Sequence, residues 1–235
     1  GKTITALAAL DHVGRQLRAQ KTPLVTVVVV PLLDLVEQWS DELARFGVTA
    51  IKCRDSVVSW EPQARNVLAG LTADGTARSC TLVVTNKTFS GLAFQALLRS
   101  VRAPLFLIAD EAHHLGAEHL RDSLPENARL RLALSATPER WFDDEGTEAL
   151  ISYFGEILIE LGLKEAIGLG ALTPYRYWPV LVPLTDVESV FYAELTTKIG
   201  AMYGSRIDSG IKNSDVRSNT ALGALLNKRA KILGH

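Results

Sequence analysis

Two patterns of apolar residues alternate along this chain. In residues 3–19, Leu7, Leu10, Val13 and Leu17 recur at spacings of three and four, which predicts a helix. Residues 24–30 follow as an unbroken run, Leu-Val-Thr-Val-Val-Val-Val, as in a strand covered on both faces. Helical period returns over 32–46 through Leu32, Leu35, Val36, Trp39 and Leu43. Residues 49–53 read as a short, weak strand, 57–71 fit a helix less clearly, and 73–79 form a polar, Gly-containing loop. The alternation then repeats: strand at 81–85, helix at 89–101, apolar strand at 105–110, helix from Glu118, strand at 130–135, helix at 147–154. Residues 156–160 alternate like a further strand. Strands separated by helices of this length make βαβ units, so the expected fold is α/β, with a mostly parallel sheet flanked by helices.

The texture changes near Leu172. Residues 175–184 read as a longer strand, but Pro179 and Pro183 suit an edge better than a sheet centre. An amphipathic helix is expected at 186–203, a polar Gly- and Ser-rich loop at 204–215, and a last helix at 216–233, basic at Arg217, Lys228, Arg229 and Lys231. The expected division is therefore residues 1–172 as one lobe and 173–235 as a strand and helices leading into a second lobe, or as a helical extension.

Composition changes this picture little. With 47% hydrophobic and 22% charged residues the 235-residue chain can bury a sizeable core. Its net charge of −1 does not announce a nucleic-acid binder, so any basic track must be local. The longest apolar run, 24–33, is too short for a membrane span. Cys53 and Cys80 stand far apart without a CxxC pattern, which fits free thiols in a reducing cytosol. His113, His114 and His119 match no common zinc spacing.

Two segments carry candidate chemistry. Gly1-Lys2-Thr3 opens the first helix, as the end of a phosphate-binding loop does. There Gly1 and Lys2 hold phosphate and the Thr3 hydroxyl binds Mg²⁺, although a helix can also begin this way by chance. The second is Leu105-Phe106-Leu107-Ile108-Ala109-Asp110-Glu111, an apolar strand that delivers two carboxylates at its carboxyl end, where open α/β sheets bind ligands. Asp110 suits Mg²⁺ and Glu111 suits a base that orients an attacking water. The alternative is a solvated acidic turn, weakened by the Gly-Lys-Thr upstream.

Asp110-Glu111-Ala112-His113 spells the DEAH box, and Leu134-Ser135-Ala136-Thr137-Pro138 looks like the SAT motif that follows it. Val28-Val29-Val30-Pro31 with Leu35, Gln38 and Trp39 resembles motif Ia, and Thr85-Asn86 with Thr88-Phe89 resembles motif Ib. Tyr153-Phe154-Gly155-Glu156, Glu165-Ala166-Ile167 and Leu172-Thr173-Pro174-Tyr175-Arg176-Tyr177 look like the XPB-like and type I and III restriction-subunit branch. In this order the motifs resemble the first RecA-like lobe of a superfamily 2 DEAH-box helicase or translocase, a P-loop NTPase fold.

The resemblance implies ATP and Mg²⁺ as cofactors and ATP hydrolysis coupled to movement along nucleic acid, with DNA favoured over RNA. It gives Lys2 and Thr3 to phosphate and Mg²⁺, Asp110 to the metal and Glu111 to the base. It sets His113 between the ATP and nucleic-acid sides. Ser135 and Thr137 would couple hydrolysis to strand movement, and Pro31 and Thr85 would touch the sugar-phosphate backbone. It implies a cytoplasmic, prokaryotic protein, with fused or associated nuclease or recognition subunits as expected partners and no membrane. The beginning of the phosphate loop and motifs IV to VI are missing from the sequence, so this piece alone is expected to hydrolyse ATP poorly. An RNA helicase, or a nucleotide-gated clamp or scaffold without turnover, are the alternatives. Trp39, on the apolar helix face, reads as core, whereas Trp141, after the SAT segment, is the tryptophan to test for base stacking.

Overall fold

A computed structural model describes residues 1–71, 77–137, 143–207 and 220–233. The chain divides into two compact units, Gly1–Ile159 and Glu160–His235.

The first unit is built on five strands: β1 (Leu24–Val30), β2 (Ala50–Cys53), β3 (Ser79–Thr85), β4 (Leu105–Asp110) and β5 (Ala128–Leu134). They lie in the order β2-β3-β1-β4-β5, and every pairing is parallel. Parallel neighbours need crossovers. Helices α1 (Lys2–Ala19), α2 (Leu33–Arg45), α3 (Val57–Ala69), α4 (Asn86–Phe89), α5 (Leu92–Ser100), α6 (Glu118–Arg121) and α7 (Asp144–Phe154) flank the strands, with a 3₁₀ turn at Ala112–Gly116.

All seven residues of β1 are buried, and the pleat sorts them between two cores. Val25, Val27 and Val29 pack with Trp60, Phe89, Phe94 and Leu97 from α3, α4 and α5. Leu24, Val28 and Val30 pack with Ala6, Leu7 and Leu10 of α1 and Val36, Trp39 and Leu43 of α2. The unbroken apolar run thus records a central strand with helices on both faces, as its sequence predicts.

The second unit contains α8 (Leu163–Gly168), α9 (Asp186–Ile207) and α10 (Thr220–Leu233). Ile199 and Leu222 meet between α9 and α10 with Met202, Leu225 and Leu226 around them. Two basic residues of α10 face aromatic rings of α9: Lys228 lies 5.3 Å from the Phe191 centroid and Arg229 5.6 Å from that of Tyr192.

Four expected elements differ. Residues 156–160 form no strand, and Leu158 and Ile159 are exposed. Their alternation supplies two faces but finds no neighbouring ladder. Residues 175–184 form none either; Trp178, Val180, Leu181 and Val182 all face solvent, and Pro179 and Pro183 lack the N–H a ladder needs. The helix expected over 89–101 is two helices separated at Ser90-Gly91, and α9 continues past its expected end to Ile207. Pro138, Trp141 and Arg217 lie outside the described residues.

Candidate active site

Parallel register gathers the candidate residues. Val30 pairs with Thr85, Val29 with Ala109, and Asp110 with Leu134. The residues that end β1, β3, β4 and β5, or immediately follow them, are Pro31, Thr85, Asp110 with Glu111, and Ser135. All therefore lie along one carboxyl edge of the sheet, where ligands of open α/β sheets bind.

Lys2, at the start of α1, reaches this edge. Its ammonium donates to Glu111 Oε1 at 2.6 Å, and both side chains are part-exposed. That contact sets the first turn of α1 beside the end of β4.

Glu111 adopts φ 46° and ψ 51°, a left-handed conformation uncommon for a residue with a Cβ. Such strain costs on the order of 1–3 kcal/mol and gathers at functional sites. Here it turns the chain sharply from β4 into the 3₁₀ turn, and Glu111 is the residue aimed back at Lys2. The Glu111 amide donates to Asp110 Oδ1 at 3.0 Å.

The other Glu111 oxygen, Oε2, lies 3.5 Å from His113 Nδ1. That same nitrogen is 3.1 Å from Ser135 Oγ. The Thr137 amide donates to Ser135 Oγ at 3.1 Å. Ser135 thus accepts from Thr137 and keeps its own O–H to donate to an unprotonated His113 Nδ1, or a second lone pair to accept from a protonated one. One line of contacts runs Lys2, Glu111, His113, Ser135, Thr137, from the helix start across the β4 turn to the end of β5. Thr137 is exposed, and Ser135 and His113 are half-buried.

Pro31 is half-buried, and the turn after it leaves Leu32 and Leu33 exposed. Thr85 is placed differently from a free surface hydroxyl. It is 6% exposed, its Oγ1 accepts from the Thr88 amide at 3.3 Å, and it caps α4. Its own hydroxyl donates to Thr88 Oγ1 at 3.2 Å.

One contact of the candidate site was not legible in the sequence. Trp39 is 1% exposed, as its place on the apolar helix face predicts, yet its indole N–H donates to Asp110 Oδ2 at 2.9 Å. Helical period places the ring inward; only the packing of α2 against the sheet shows that the ring's edge meets a carboxylate 71 residues away.

Residues 1–140 match the ResIII family, described as the type III restriction enzyme res subunit. That is more than half of the chain. The chain belongs to this family. Its five-stranded unit is a RecA-like lobe of the superfamily 2 type. Among curated relatives, the putative DNA 3'-5' helicase Rad25 of Halobacterium salinarum is 28% identical over 146 residues, covering 62% of this chain and 20% of that protein. The DNA 3'-5' translocase XPB2 of Sulfurisphaera tokodaii is 27% identical over 182 residues, covering 77% of this chain and 36% of that protein. The chain thus spans between a fifth and about a third of the length of these relatives. A solved structure, the Pyrococcus furiosus Hef helicase domain, aligns with 98% of this chain and 48% of its own, at 18% identity and a TM-score of 0.49.

Proposed function

We propose that the protein carrying this ResIII lobe is an ATP-dependent translocase or helicase that moves along DNA. The observation that supports this best is the unbroken line of contacts from Lys2 through Glu111 and His113 to Ser135. It joins the phosphate end of the lobe to the segment that follows β5, as a device coupling hydrolysis to movement requires. The relatives' names, DNA 3'-5' helicase and DNA 3'-5' translocase, favour DNA as the track.

The residues suit ATP and Mg²⁺ by the chemistry of their donors. The Thr3 hydroxyl and Asp110 carboxylate are hard oxygen donors, as Mg²⁺ prefers. The amides opening the 18-residue α1 and the Lys2 ammonium suit phosphate oxygens. Bound Mg²⁺–ATP supplies the phosphoryl bond whose hydrolysis drives the cycle. Lys2 neutralises phosphate charge, and Gly1 leaves the approach to the helix start open. Glu111 takes the proton of the attacking water on its carboxylate. His113 and Ser135 carry the resulting change toward Thr137.

On the nucleic-acid side, the Pro31 turn presents main-chain amides to the sugar-phosphate backbone, contacts that fix position and carry no sequence information. Thr85 contributes by fixing the Asn86–Phe89 turn through its cap. The first lobe takes in the compact unit that ends at Ile159 and the segment after it to about residue 172, residues 173–235 lead into the second lobe, and nuclease or recognition subunits accompany the motor. Its proposed location is the prokaryotic cytoplasm. No helix among the described residues is long and apolar enough to cross a membrane.

The test is ATPase activity of the full-length protein with double-stranded DNA, single-stranded DNA, RNA or no polymer, at one stated salt concentration. Strong stimulation by DNA and weak stimulation by RNA is the expected result. Glu111→Gln is expected to keep ATP binding while turnover falls by roughly 10²-fold or more, within the range that general bases contribute. ATP binding without stimulation by any polymer, in wild type, would replace the motor with a nucleotide-gated scaffold.

A further inference from the structure

We propose that Trp39 is a positioning residue for the Asp110 carboxylate, setting how well the site holds a divalent cation and tying that property to helix α2. The inference rests on Asp110 being the metal-binding carboxylate, as proposed above.

Asp110 ends β4 at a chain reversal, where a short side chain is free to rotate unless something stops it. Two donors stop it here, one on each oxygen. The Glu111 amide occupies Oδ1 at 3.0 Å and the Trp39 indole N–H occupies Oδ2 at 2.9 Å. The first donor belongs to the same turn and moves with it. The second comes from a different element and fixes the carboxylate plane against the rest of the lobe. Each carboxylate oxygen accepts more than one hydrogen bond, so both keep a lone pair for a cation. Metal sites are tuned by partners of this kind, which orient the ligand without touching the metal.

The indole itself is held in the core. It lies in one core cluster with Val36 and Leu43 of its own helix, Ala6, Leu7 and Leu10 of α1, and Phe106 and Ile108 of β4. The helix that carries Lys2 and Thr3, the strand that carries Asp110, and Trp39 therefore pack as one body. Helix α2 begins at Leu33, directly after the Pro31 turn. A shift of that turn is passed along less than two helical turns to the indole, and from its N–H to Oδ2.

Trp60 supplies the comparison within the same lobe. It is 2% exposed, and its indole nitrogen is buried without a hydrogen-bond partner among the described residues. Replacing it with Phe removes similar bulk from a core but breaks no hydrogen bond.

The experiment measures binding of a fluorescent, non-hydrolysable ATP analogue to the full-length protein while Mg²⁺ is titrated, with thermal unfolding as a check on folding. Trp39→Phe removes the donor and keeps most of the ring. Replacing Trp39 with β-(3-benzothienyl)alanine keeps the shape and removes only the N–H. Both are expected to raise the Mg²⁺ concentration at half-saturation by roughly tenfold, the lower end of what removing a ligand's partner does to metal affinity. Trp60→Phe is expected to leave it within twofold, and binding in EDTA to be the same in all four proteins. Unchanged half-saturation in both Trp39 variants would overturn the inference and leave the metal role of Asp110 standing. An equal shift in Trp60→Phe would overturn it as well, since a loosened core would then suffice. Wild-type binding independent of Mg²⁺ would remove Asp110's metal role and this inference with it.

Discussion

Ser135 shows how much one hydroxyl can hold. Its Oγ accepts from the Thr137 amide and meets His113 Nδ1, each at 3.1 Å. Ser135→Ala leaves both groups without that oxygen, and each of the two hydrogen bonds is worth about 1 kcal/mol. Both lie beyond Glu111 from Lys2, so the substitution is expected to weaken coupling before it weakens hydrolysis. DNA-stimulated ATP turnover should stay within a few-fold of wild type, while movement, followed by displacement of a triplex-forming strand, should fall roughly tenfold, since about 1.4 kcal/mol separates factors of ten. An equal fall in both rates would place Ser135 in the hydrolytic step. The identities of Lys2, Asp110, Glu111, His113 and Ser135 were legible in the sequence because each stands in an ordered motif. Their connectivity was not. Neither the left-handed turn at Glu111 nor the Trp39 hydrogen bond leaves a periodic trace, because each depends on where a side chain ends in space.

At the scale of elements, strands were readable where burial on both faces writes an unbroken apolar run, as in Leu24–Val30 and Leu105–Asp110. They were misread at 156–160, where alternation occurs without a partner, and at 175–184, where a strand-like run carries Pro179 and Pro183. The break between α4 and α5 has a local cause. A Cβ on Gly91 would stand 3.1 Å from the Thr88 carbonyl, so a residue with a side chain fits poorly where the chain turns. Upstream, Thr85 holds the four-residue α4 through its cap. Thr85→Ala removes the acceptor of the Thr88 amide and is expected to cost about 1 kcal/mol. In a unit of this size that lowers the thermal midpoint by about 2–4 °C, measurable by circular dichroism. Thr85→Ser keeps the oxygen and should restore most of that stability. Full stability of Thr85→Ala would show that the cap contributes nothing.

For the molecule as a whole, repeated strand-helix units dictated a parallel sheet, and the sheet's register then dictated which motifs meet. The two cysteines of the core let pH report on that packing. Burial pushes the Cys53 thiol up to about 12, with the neighbouring Cys80 adding to the shift, and burial pushes Cys80 up to about 11. Burial also raises Tyr153 to about 12, partly offset by Arg131. Unfolded thiols lose their protons near pH 8.5–9. Above that range the unfolded chain binds fewer protons than the folded one, so stability falls as pH rises and keeps falling until the folded thiols titrate at about 11 and 12. Each thiol contributes at most about 1.4 kcal/mol per pH unit to this slope. Between pH 7 and roughly pH 10, before an unfolded tyrosine titrates, the two cysteines set the excess. Urea unfolding of wild type across that range is expected to lose stability more steeply than the Cys53→Ala, Cys80→Ala double variant, whatever the variant's absolute stability. Both thiols should also resist alkylation at pH 8 until urea unfolds the lobe. Parallel slopes, or rapid alkylation of the folded protein, would mean that the thiols are reached by water and that the core around β2 and β3 opens far more readily than its packing implies.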